Sequence, residues 1–70
     1  MDGNEFIARV KRYAKANGMP VEFHSAHGKG SHGRLFLGGR FCTIKDRKKE
    51  LAPGLLTAML KQLGLTKDDI

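Results

Sequence analysis

Between residues 4 and 17 the apolar side chains Phe6, Ile7, Val10, Tyr13 and Ala14 recur every three or four positions, with Arg9, Lys11, Arg12 and Lys15 mostly between them. That spacing gathers the apolar set on one face of an amphipathic helix. Asp2 and Glu5 have the separation of a capping box, and Asn17-Gly18 followed by Pro20 is a stop signal. A second stripe, Leu55, Leu56, Met59, Leu60 and Leu63, predicts another helix. Pro53 suits its first turn, and Gly64 suits the position just past its end. Both stripes read as surfaces that pack a core.

Between the helices the period drops to two. Residues 21–24, 34–37 and 40–44 have period-two character and are rich in β-favouring residues, so they predict three strands. Gly38-Gly39 has the size and composition of a two-residue hairpin turn, which makes the last two strands antiparallel with Leu37 opposite Arg40. The order α-β-β-β-α predicts an α+β fold with a three-stranded antiparallel sheet and two helices on one face. Residues 1–70 read as a single small domain without repeats, linkers or low-complexity tracts.

The hairpin register sorts the side chains by face, because cross-strand partners point the same way. One face collects Leu35, Leu37, Cys42 and Ile44, enough apolar surface to sit under the helices. The other collects His32, Arg34, Phe36, Phe41, Thr43 and Lys45. An open face that mixes cations with stackable rings is what single-stranded RNA contacts require. Two phenylalanines side by side also stabilise a hairpin without any ligand.

Composition adds charge to this picture. The 70 residues include 13 Lys and Arg against seven Asp and Glu, a formal charge of +6, so polyanions are the expected partners. The longest apolar run, around Leu55 to Leu60, is far too short to cross a bilayer, which leaves no expected role in a membrane. The first residues lack the basic start and apolar stretch of a signal peptide, and the expected address is cytoplasmic. Cys42 is the single cysteine; it fits a reducing compartment and reads as a small buried apolar residue.

Residues 27–39 concentrate candidate chemistry: two histidines, two basic residues and five glycines in thirteen positions. RNA is cut without metal when its 2′-hydroxyl is deprotonated and attacks the adjacent phosphate. Histidine, with an ordinary pKa of about 6.5, exchanges that proton near neutral pH. His32 is the candidate, with Lys29 and Arg34 close enough in sequence to supply positive charge, and Gly28 and Gly30 letting backbone approach a phosphate. A metal set of His24, His27, His32 and Cys42 is disfavoured, since Cys42 falls on the core face and no Cys-x-x-Cys or His-Glu-x-x-His spacing is present. His24 and His27 read as solvated residues or phosphate contacts. The basic run Lys45-Asp46-Arg47-Lys48-Lys49 before the second helix suits a phosphate track, or is simply a solvated loop.

Two stretches carry a family resemblance: Lys29-Gly30-Ser31-His32 before the second strand, and the closing run from Lys49-Glu50-Leu51-Ala52-Pro53-Gly54 to Leu65. With them the chain resembles, from about Phe6 to Leu65, the HicA (YcfA-like) toxins, small basic ribonucleases of bacterial toxin–antitoxin pairs. The resemblance implies a fold similar to the double-stranded RNA-binding domain. It also implies metal-independent cleavage of mRNA with a single histidine as general acid/base, no cofactor, and neutralisation by a HicB-like antitoxin. The family's histidine maps onto His32. That role alone is carried over; the sheet register and the basic loops give the expected RNA contacts, Lys29, Ser31, Arg34, Phe36, Phe41, Lys45, Arg47, Lys48 and Lys49. Many members carry a proline and a second histidine after the third strand, where this chain has Lys45-Asp46-Arg47-Lys48, and a larger or polar residue where Gly33 stands. A non-catalytic RNA-binding module and a domain that binds an acidic protein are the competing readings of the same basic surface.

Overall fold

The computed structural model describes residues 1–25 and 32–70. Helix α1 spans Gly3–Ala16, one residue earlier than its apolar spacing predicts. Asp2 caps it by accepting the N–H of Glu5 at 2.8 Å. The carboxylate of Glu5 turns to Arg9 one turn on, at 2.7 Å, rather than closing a capping box. The helix starts early because its first turn docks on a loop: Asn4 donates its N–H to the carbonyl of Arg47 at 2.9 Å. A Cβ on Gly3 would stand 2.7 Å from the Arg47 Cα, so only glycine admits that approach.

Strands β1 (Val21–Ser25), β2 (Gly33–Leu37) and β3 (Arg40–Ile44) form an antiparallel sheet in the order β1-β2-β3. The hairpin register is the expected one, with Leu37 opposite Arg40, Phe36 opposite Phe41 and Leu35 opposite Cys42. In β1, Phe23 pairs with Leu35 and His24 with Arg34. Helix α2 spans Pro53–Leu63 and ends at Gly64. The element order is therefore the α-β-β-β-α of an α+β fold, followed by a short 3-10 turn, Lys67–Asp69. That turn had no hydrophobic period to announce it. It is held by Thr66, whose N–H donates to the Asp69 carboxylate at 2.8 Å.

The core lies between one sheet face and the two helices. Leu35, Leu37, Cys42 and Ile44 are at most 1% exposed, and Phe6, Val10 and Ala14 of α1 and Met59, Leu60 and Leu63 of α2 are equally enclosed. Leu55 departs from the expected core stripe, because it stands at the margin of that stripe on the first turn of α2 and remains 50% exposed. Gly33 is buried where β2 passes under β1. A Cβ there would lie 2.5 Å from Cζ of Phe23 and 2.6 Å from the carbonyl oxygen of His24.

Gly33→Ala should accordingly lower stability by about 1–3 kcal/mol through overpacking against backbone. Gly39→Ala, with open space at its Cβ, should stay within about 0.5 kcal/mol of the parent. Thermal melts of the two variants check this, and equal melting temperatures would refute it. Burial also pushes the Cys42 thiol up to about 11. The folded chain thus keeps a proton that the unfolded chain releases from about pH 8.5. Stability should fall as pH rises from there towards 11, and Cys42→Ala should flatten that decline in denaturant titrations.

Candidate nucleic-acid interface

Among the described residues no helix covers the second sheet face, and the side chains that strand alternation places there form a short aromatic and cationic row. The rings of Phe36 and Phe41 lie 5.5 Å apart, inclined by 33°. The guanidinium of Arg34 sits 5.4 Å from the centre of the Phe41 ring, a cation–π contact that holds charge and ring surface together. Phe41 is 47% exposed and presents part of its ring surface to solvent. Thr43 faces Arg34 across the hairpin.

β1 extends this row. Val21 and Phe23 turn towards the helices, so Glu22 and His24 turn outward. The His24 ring meets Phe36 edge-on, 5.4 Å between centres and 84° between planes. Its Nε2 lies 3.3 Å from the Glu22 carboxylate. His32, exposed at the entry to β2, lines a hollow of roughly 660 Å³ together with His24, Ser25, Arg34, Phe36 and Thr43. It also lines a second hollow, about 420 Å³, with Lys45, Lys49 and the exposed Leu55.

The structure thus brings together most of the residues singled out by sequence. His32, Arg34, Phe36, Phe41 and Lys45 share the open side, and Lys49 joins them across the second hollow. Arg47 does not join them: its guanidinium lies 5.1 Å from the centre of the Phe23 ring, on the helix-covered side of the sheet. Lys48 is exposed, and its N–H donates to the Asp46 carboxylate at 2.9 Å, which turns the loop. Lys29 and Ser31, with His27, Gly28 and Gly30, lie outside the described residues. Glu22 and the placement of His24 beside Arg34 were missed. The signal for them was the alternation of β1 itself, which becomes informative only once its pairing with β2 is known.

Among the described residues no group of three or more His, Cys, Asp or Glu side chains is placed to hold a metal ion. No helix among them is long and apolar enough to cross a membrane.

Comparison with known proteins gives two findings. The family described as HicA toxin of bacterial toxin–antitoxin matches residues 8–65. A protein of Pseudomonas fluorescens (strain Pf0-1) named "Probable mRNA interferase HicA" is 43% identical over 59 residues, which is 83% of this chain and 92% of that protein. No solved structure gives a significant match. The matched segment runs from the second turn of α1 to the residue after Gly64 and takes in all three strands, so the chain belongs to the HicA toxin family of bacterial toxin–antitoxin systems.

Proposed function

We propose that this chain is a toxin that cuts mRNA as a metal-independent endoribonuclease, with His32 as its acid–base group. One observation carries the reading: an exposed imidazole lines a hollow shared with Arg34 and Phe36, on a cationic sheet face that no helix among the described residues covers. The name of the Pseudomonas relative, a probable mRNA interferase, supports the same chemistry.

Each part has a physical task. Phe36 and Phe41 offer flat surfaces to unpaired bases, and base–aromatic stacking contributes about 1–3 kcal/mol per base irrespective of sequence. Arg34, Lys45 and Lys49 draw the backbone in, and Arg34 neutralises charge that builds up on the phosphate as the 2′-oxygen attacks. Lys29, Ser31 and Lys48 complete the proposed phosphate contacts, while Arg47 contributes chiefly long-range attraction from behind the sheet. His32 takes the 2′-proton. The 2′-oxygen then bonds to phosphorus, the bond to the 5′-oxygen breaks as that oxygen gains a proton from the acid–base site, and the products are a 2′,3′-cyclic phosphate and a 5′-hydroxyl. A HicB-like antitoxin would silence the toxin by covering this face in the cytoplasm, where the mRNA is.

His32→Ala should keep the fold and most of the RNA affinity, since the side chain is exposed, yet lower cleavage by about 10²–10⁴-fold. Gel assays on purified protein, with chelator present throughout and the product ends identified, check this. Equal cleavage by variant and parent would overturn the assignment of His32, and RNA binding with no cleavage by the parent would leave a binding module. Replacing Lys45, Lys48 and Lys49 by alanine should flatten the dependence of log affinity on log salt by roughly 0.7 for each phosphate that is no longer neutralised. An unchanged slope would remove that loop from the RNA-binding surface.

A further inference from the structure

We propose that His24 is a second proton-transfer group of this site: the imidazolium that protonates the departing 5′-oxygen while His32 takes the proton of the attacking 2′-hydroxyl. The proposal rests on the ribonuclease reading above and divides its two proton transfers between two rings.

The sheet register supplies the geometry. His24 pairs directly with Arg34, and His32 precedes Arg34 by two residues along the neighbouring strand. Two such diagonal neighbours on one face stand roughly 7–8 Å apart at the backbone. Both histidines line the same hollow, with Arg34 also on its wall. An in-line displacement at phosphorus needs this layout, because the entering and leaving oxygens lie on opposite sides of the atom and the charge accumulates between them. Two rings on the wall of one hollow can serve the entering and leaving oxygens, and the Arg34 guanidinium, which leans towards Phe41 on the same face, adds positive charge beside them.

The surroundings of His24 assign it the acid role. Its Nε2 is held 3.3 Å from the Glu22 carboxylate, and its ring is set edge-on against Phe36. A carboxylate that fixes one ring nitrogen leaves the other to work, here Nδ1. The ion pair with Glu22 exists only while the ring carries its proton, and that protonated form is the one that donates. Among the described residues, the titratable and charged groups facing His24 are Glu22 on its own strand, Arg34 of β2 and His32 just before β2. In the step itself the bond from the 2′-oxygen to phosphorus forms and the bond from phosphorus to the 5′-oxygen breaks. His32 gains the 2′-proton, and Nδ1 of His24 loses its proton to the 5′-oxygen. The phosphodiester charge is unchanged in the cyclic product.

The test uses the full chain and two versions of one RNA oligonucleotide, cut at a site first mapped with the parent protein. The second version carries sulfur in place of the bridging 5′-oxygen, so that its leaving group departs as a thiolate and needs no proton. His24→Ala should lower cleavage of the oxygen substrate by about 10²-fold or more and stay within about threefold of the parent on the sulfur substrate. His32→Ala should be impaired on both. The high-pH limb of the pH–rate profile should vanish in His24→Ala on the oxygen substrate, while circular dichroism shows the fold retained. Equal losses on the two substrates would mean that His24 only binds or positions RNA, and no loss would remove it from the site; either outcome overturns the proposal. A parent protein that cuts neither substrate would instead bring down the ribonuclease reading and the role of His24 together.

Discussion

Pairing Leu35 with Cys42 and Phe36 with Phe41 assigns every side chain of the hairpin to one of two faces, because successive residues on a strand alternate. The rest of the molecule depends on that register. A slip by one position would send Phe36, Arg34 and Thr43 beneath the helices and lift Leu35 and Leu37 into water. The apolar set is what forbids the slip. Fully burying side chains of this size is worth about 1.5–3 kcal/mol each, a large share of what a chain of this length has available. The open face is exposed because the other one has to be covered.

Two arginine–ring contacts show how the same interaction serves opposite ends. Arg34 over Phe41 lies in the open and keeps a cation and a stacking surface side by side. Arg47 over Phe23 lies on the covered side and ties the loop after β3 to the sheet, while its carbonyl receives the N–H of Asn4. Long basic side chains cover apolar rings with their stems as well as their charge. An arginine within a basic run can therefore be part of the fold's packing, and its charge alone does not say which role it has.

The elements with a strong period were readable from sequence: both helices, all three strands and the turn at Gly38-Gly39. So was the division of the hairpin into a core face and an open face. Period alone reads each element by itself, and the misses lie where two elements meet. The place of Arg47 depends on α1 docking against the loop, and Gly3 gives no periodic hint of that approach. His24 acquires its neighbours from the pairing of β1 with β2, which sequence spacing did not fix. Leu55 follows the helical spacing of its stripe, yet its margin position overhangs the end of the covered face. The close passage of Phe23 and of the His24 carbonyl gives a steric reason for glycine at position 33.

A three-stranded sheet in the order β1-β2-β3 has two lateral borders, and among the described residues no further strand pairs with either. Such borders invite a further strand, whether from another copy or from an unfolded neighbour. β3 begins at Arg40 and is followed at once by Lys45. Arg40, on the helix-covered side against Gly64, and Lys45, on the open side, put a cation on each face of this border, one at either end. The cations at its two ends thus act as gatekeepers against ribbon growth next to a phenylalanine ring, Phe41, that is open to water.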